Sequence, residues 1–179
     1  MEDQNLEQPK SKKIKFIIWF VILVFGVYAL IWGYENYFSQ KAKETKQQQK
    51  NYEKYLAWKS SYEKAMSEDT YGGKTPEETL NLFIEALKKE DLELASKYFV
   101  LNSNGQRDPK WLEALQKTKE AGKLKEVIEL LSKAKPDLDA RISQDNFVFS
   151  ARDSRGKVLL DVDLIFNQYS NIWKIESLY

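Results

Sequence analysis

The hydrophobic pattern of the chain changes character three times. The first pattern is an unbroken apolar run, Phe16 to Tyr34 (FIIWFVILVFGVYALIWGY), 19 residues without a charge. As a helix this run is about 28 Å long, close to the hydrocarbon thickness of a bilayer. From Glu35 to Thr70 the chain turns polar, mixed in charge and free of glycine and proline, around KAKETKQQQK. That core carries no apolar face and reads as a solvated helical spacer. Further along, Tyr52, Tyr55, Leu56, Tyr62, Ala65 and Met66 fall mostly on one side of a helix. The stripe is too short and too rich in tyrosine for the sustained heptads of a coiled coil. A stalk leaning on its own domain is the expectation, with pairing to another copy as the alternative.

Gly72-Gly73 breaks the chain, and the periodicity then becomes helical. Thr75-Pro76-Glu77-Glu78 reads as a capped start, with Glu78 placed to complete a capping box. Leu80, Phe83, Ile84 and Leu87 follow at i, i+3, i+4 and i+7, so one face must be buried. Asp91 predicts the cap of a second helix running through Phe99, with Leu92, Ala95 and Phe99 inward. Asp108-Pro109 starts a third helix that carries Trp111 and Leu115. Gly122 interrupts it, and Leu124, Val127, Ile128 and Leu131 form another apolar face before Pro136. The pattern finally switches to period two. Leu138, Ala140 and Ile142 alternate, as do Phe147, Phe149 and Ala151, and then Val158, Leu160, Val162, Leu164 and Phe166. A last strand closes the chain on IWKIESLY. Short turns between adjacent strands imply an antiparallel meander, and helices followed by strands imply an α+β domain with helices on one sheet face.

These elements divide the chain into a cytoplasmic tail (1–13), a transmembrane helix (14–34), a helical spacer (35–71) and an extracytoplasmic α+β domain (72–179). A buried soluble helix is rarely apolar all round, and a cleaved signal peptide needs a shorter core and a small-x-small site. Instead the run ends in bulky LIWGY, which favours an uncleaved anchor. Lys10, Lys12, Lys13 and Lys15 crowd its N-terminal edge, whereas the first lysine beyond it is Lys41. The positive-inside rule then puts the N-terminus in the cytoplasm and the domain outside. The expected localisation is the cell (inner) membrane, with the lipid bilayer as one partner.

Composition narrows the chemistry. With 28 basic and 27 acidic residues the net charge is +1, which provides no field suited to nucleic acid. The chain contains no cysteine and no histidine. Their absence removes thiolates, the commonest general base and the commonest transition-metal ligand. Asp161 and Asp163, at i and i+2 on a strand, share one face. They are either a carboxylate pair for acid–base work or cation binding, or the solvated side of a half-exposed strand; the second is expected. Asp137, Asp139 and Asp145 lie around a turn without the glycine-punctuated spacing of a calcium loop. Trp111, Phe147, Phe149, Trp173 and Tyr179 either line a ligand pocket or make up the core of a small domain, which is the expectation. Ser103 and Ser170 have no histidine partner, so a conventional triad is excluded. No catalytic, cofactor-binding or metal-ligating residue is assigned, and no cofactor is expected.

The phrasing TPEETLNLFIEALKKEDLELASKYF, together with the ending SNIWKIESL, resembles the nuclear transport factor 2-like superfamily over Thr75 to Tyr179. The resemblance implies helices on a curved antiparallel sheet forming a cone. Only about four strands are legible, and the helical part is enlarged by Pro109 to Lys135, so a reduced cone is expected. The superfamily holds binding modules, cyclases, isomerases, dimerisation domains and anchored parts of secretion or cell-wall machines, so fold leaves function open. Its catalytic members tend to combine an aspartate with a histidine or tyrosine, a pattern that this histidine-free chain does not carry whole. In architecture the chain also looks like the single-pass assembly components of type IV secretion systems. The resulting expectation is a non-enzymatic envelope protein whose outer domain binds an envelope protein or a second copy. Small-molecule binding or weak lyase or isomerase activity in the cone is one alternative, and a structural spacer is the other.

Overall fold

The computed structural model describes residues 10–137 and 143–179, with side chains from residue 14. A single helix, α1, runs from Lys10 to Glu68. By its contacts the chain separates into two compact units, residues 1–55 and 56–179. In the first unit every large apolar side chain from Ile14 to Trp32 is exposed, and the helix is long and apolar enough to cross a membrane.

The second unit is an α+β domain. It contains the end of α1, then α2 (Pro76–Lys88), α3 (Leu92–Lys97), α4 (Pro109–Glu120) and α5 (Leu124–Lys133). A four-stranded antiparallel meander follows, β1 (Lys135–Pro136), β2 (Asn146–Arg152), β3 (Val158–Asn167) and β4 (Ile172–Leu178), in sheet order β1-β2-β3-β4.

Local chemistry sets the helix boundaries. Thr75 Oγ1 accepts the Glu78 amide at 3.1 Å, and Pro76 opens α2. The Glu78 carboxylate accepts from the Lys74 amide at 2.6 Å, one residue upstream of the donor in an ideal capping box. Asp91 caps α3 through the Leu94 amide. This helix ends at Lys97 rather than at Phe99. The Tyr98 carbonyl and Val100 amide are both engaged by Ile175 of β4, which draws the chain out of helical geometry. Gly122, at φ +70, turns the chain between α4 and α5 in a conformation that disfavours a Cβ.

Alternation predicted for the strands is present in the register. Phe147, Phe149 and Ala151 face Leu164, Val162 and Leu160 across β2 and β3, and Leu164 pairs with Ile175. These residues meet Leu80, Phe83, Leu87, Phe99 and Leu131 in one core. A register shift beside Asp163 passes over Glu176, so that Ser177 pairs with Asp163 and Ile175 with Leu164. The strand expected over Leu138, Ala140 and Ile142 lies outside the described residues. Immediately before it, β1 pairs Lys135 and Pro136 with Ser150 and Phe149.

The lower part of α1 is held by the domain. Trp58 donates its indole N–H to the Ser103 carbonyl at 2.9 Å, Tyr62 meets Tyr169 edge-on, and Asn167 donates to the Met66 carbonyl. Gly105, at φ +72, sits where a Cβ would lie 2.8 Å from the Ala65 Cβ, so only glycine allows this approach. Tyr52, Tyr55 and Leu56 of the predicted stripe remain exposed, whereas Tyr62, Ala65 and Met66 are partly buried.

Candidate functional site

The most concentrated polar chemistry in the domain is a buried ion cluster just past the end of α1. Asp69 follows α1 directly and is 4% exposed, while Lys174 on β4 is 1% exposed. Lys174 alternates with the core residue Ile175, so its side chain leaves β4 on the opposite face. There its ammonium donates to the carbonyls of Tyr71 at 2.5 Å and Lys97 at 2.7 Å. It also lies 2.9 Å from Asp69 Oδ2, an ion-pair contact without hydrogen-bond alignment. The other carboxylate oxygen accepts from Arg107 Nη2 at 2.6 Å and from the Tyr71 amide at 3.2 Å. Arg107 Nη1 donates to the Lys97 carbonyl at 2.5 Å and the Phe99 carbonyl at 3.3 Å.

Two cations therefore converge on the C-terminal end of α3, whose last carbonyls have no partner within the helix and carry its negative pole. The Tyr71 ring covers the cluster, with Lys97 Nζ 5.1 Å and Arg107 Cζ 5.2 Å from its centroid. Burial pushes the Lys174 ammonium down to about 8, and the Asp69 carboxylate opposes that shift. A lysine lowered in this way is a frequent mark of reactivity. Here, however, the ammonium is shielded from solvent and occupied by two carbonyls and a carboxylate. The arrangement fixes three chain segments and leaves the nitrogen no free approach to a substrate.

The carboxylates singled out from the sequence lie elsewhere. Asp161 and Asp163 share the sheet face opposite the core, as their spacing predicts. Each has its own hydroxyl partner: Ser150 reaches Asp161 at 2.5 Å, and Ser177 reaches Asp163 at 2.8 Å. Ser150 also contacts Asp137 at 2.8 Å, and Arg152 pairs with Asp137 at 2.6 Å. Asp145 is exposed in the turn before β2, and Asp139 lies outside the described residues. Among the described residues no group of three or more acidic side chains could hold a metal ion. The Asp163 and Asp161 charges push the phenol of Tyr179 up, with Asp163 the larger influence.

The aromatic residues are divided. Phe149 is buried in the core, and Trp111, Phe147 and Trp173 pack against it. Phe99 stacks on Trp111 at 4.1 Å, and Phe147 contacts Phe149 at 4.9 Å. Tyr179 is 68% exposed at the end of β4, outside the core. Phe83, Phe99, Leu87, Leu131, Val162, Leu164 and Ile175 fill that space. Grooves open at the surface around it, including one of about 670 Å³ between the end of α2 and the start of α5 and one of about 390 Å³ where α2 and α5 meet the sheet edge at β1. Ser103 contributes its carbonyl to Trp58, and the Ser170 hydroxyl is enclosed without a hydrogen-bond partner among the described residues.

Sequence reasoning missed the ion cluster. Asp69 lies in SEDT, which reads as linker, and Arg107 lies in a loop. Lys174 carried the one usable signal, a cation alternating into a strand flanked on both sides by apolar residues. No family model, no curated protein and no solved structure matches the chain.

Proposed function

We propose that the chain is a single-pass membrane protein of the cell envelope, with a cytoplasmic N-terminus and a non-catalytic outer domain that binds another protein or a second copy. The carrying observation is the first part of α1, a fully exposed apolar helix edged by Lys15 and the lysines before it. The filled interior of the domain supports binding through its surface rather than in a cone pocket, which would require concave space with convergent polar groups. The order of helices followed by an antiparallel meander agrees with the nuclear transport factor 2-like resemblance, in a form reduced to four strands. Reporter fusions at the C-terminus test the orientation, and activity only in the cytoplasm would overturn it. Native-size measurement with cross-linking in the membrane tests the interaction; a strict monomer without a partner would refute it.

A further inference from the structure

The stretch of α1 between the apolar run and the domain raises a physical problem. From Glu35 to Tyr55 it is helical and exposed on every side, and it lies outside the compact unit formed by the domain. Helices in water draw most of their stability from packing one face, and a helix that is polar all round needs many side-chain pairs to persist. Among the described residues, the ion pairs along α1 begin only at Lys59 with Glu63 and Lys64 with Glu68.

One face of this stretch differs from the others. Phe38, Ala42, Thr45, Gln49, Tyr52 and Leu56 follow each other at alternating steps of four and three residues. That is the a/d spacing of a heptad, and it is the single register that avoids every charge between Phe38 and Leu56. Lys41, Lys43, Glu44, Lys46, Lys50, Glu53 and Lys54 all lie off it. Thr45 turns its hydroxyl back to the Lys41 carbonyl at 2.9 Å, and Gln49 donates along the helix to Glu53 at 3.1 Å. On a helical wheel at 100° per residue, the α1 residues that touch the domain, Trp58, Tyr62 and Ala65, fall about 150° from this face.

We propose that two copies of the chain pair in parallel through this uncharged seam of α1. The inference rests on the membrane-anchored reading above, because anchoring makes a second copy the fitting occupant. Copies inserted in one bilayer share orientation, so the same residues meet at the same height. Confinement to the membrane also raises their effective concentration, which lets a seam of fewer than three full heptads associate. Lys59 and Glu63, the next two heptad positions, end the uncharged seam where α1 begins to pack on the domain.

The chain has no cysteine, so single substitutions provide unique thiols. Full-length Ala42→Cys, Thr45→Cys and Gln49→Cys are oxidised in native membranes beside Gln40→Cys, Gln47→Cys and Asn51→Cys. Pairing through the seam gives about fivefold or more disulfide dimer at the first three positions than at the others. Thr45→Glu with Gln49→Glu then abolishes the dimer, whereas Gln47→Glu leaves it intact. Equal cross-linking on all faces would indicate random collision and overturn the seam. Absence of seam cross-links in a protein of larger than monomeric native size would overturn the seam but leave the interaction reading standing. A monomer under all conditions would overturn both.

Discussion

Replacing Asp69 by asparagine isolates the charge of the buried cluster, because the amide oxygen can still accept from Arg107 and the Tyr71 amide. What disappears is the negative charge opposite Lys174, whose ammonium is 1% exposed. Removing one partner of a buried pair commonly costs about 3–5 kcal/mol. Here the lysine has an escape. With its folded value at about 8 against 10.5 in the open chain, losing the proton at pH 7 costs only about 1.4 kcal/mol. Weakened hydrogen bonds around the amide add about 1–2 kcal/mol, so the expected loss at pH 7 is about 2–4 kcal/mol. The sign of the pH dependence follows from the lowered value. Below about 8 the folded and unfolded wild-type chains both carry the proton, and the penalty for burying it is fully present. Between about 8 and 10.5 the unfolded chain binds more protons, so stability rises with pH. The variant, having lost the supporting carboxylate, sheds its proton at lower pH. The gap between the two proteins therefore widens by about 1 kcal/mol from pH 7 to pH 6 and narrows towards pH 9. Urea unfolding of the full chain in mild detergent, followed by near-ultraviolet circular dichroism, measures it. A gap below about 0.5 kcal/mol at pH 7, or one that grows above pH 8, would refute the reasoning.

Thr79→Val removes a fully buried hydroxyl that accepts from the Gly73 amide at 2.8 Å and reaches the Trp173 carbonyl at 3.1 Å. The expected loss is about 1–3 kcal/mol by chemical denaturation, since both backbone groups lose a partner. Gly105→Ala combines a Cβ 2.8 Å from that of Ala65 with a positive φ, and should lower stability by about 1–3 kcal/mol in the same assay. Limited proteolysis should cut this variant faster after Lys59 and Lys64, where α1 meets the domain. Changing Asp69, Arg107 and Lys174 together to Leu, Met and Met should lower the midpoint of thermal unfolding. Apolar replacement of a buried ion group is often neutral, but here the carbonyls of Tyr71, Lys97 and Phe99 would lose their donors.

Sequence patterning located most elements because periodicity reports burial directly. The i, i+3, i+4, i+7 residues of α2 are all in the core, and the alternating residues of β2 and β3 face one another in register. The first disagreement is at Phe99, where an apolar spacing suited to a helix serves an extended segment bonded to Ile175. Periodicity cannot distinguish the two when a strand edge competes for the backbone. The split of the tyrosine stripe was also hidden. Whether Tyr52 or Tyr62 is covered depends on where the 102–107 and 167–171 turns fall, which is tertiary information. Asp161 and Asp163 were legible as a shared face, whereas their separate serine partners depend on cross-strand register. The ion cluster was the least legible, because its members are distant in sequence and each resembles an ordinary surface charge.

The position of that cluster bears on how the chain can work. A purely apolar contact between the end of α1 and β4 would tolerate sliding, because apolar burial has little directional preference. Ionic and hydrogen-bonding groups penalise misplacement, since each carbonyl or carboxylate moved out of reach remains buried and unsatisfied. Asp69 accepts from Arg107 in the loop after α3 and faces Lys174 on the last strand, while both cations also hold the backbone of Lys97. One residue beyond α1 is thereby tied to the middle and to the last strand of the domain's sequence. Such a joint fixes the last turn of α1 and the residues after it against β3 and β4 within the domain. It explains why so small a domain keeps a lysine under cover, in an environment that weakens its hold on a proton.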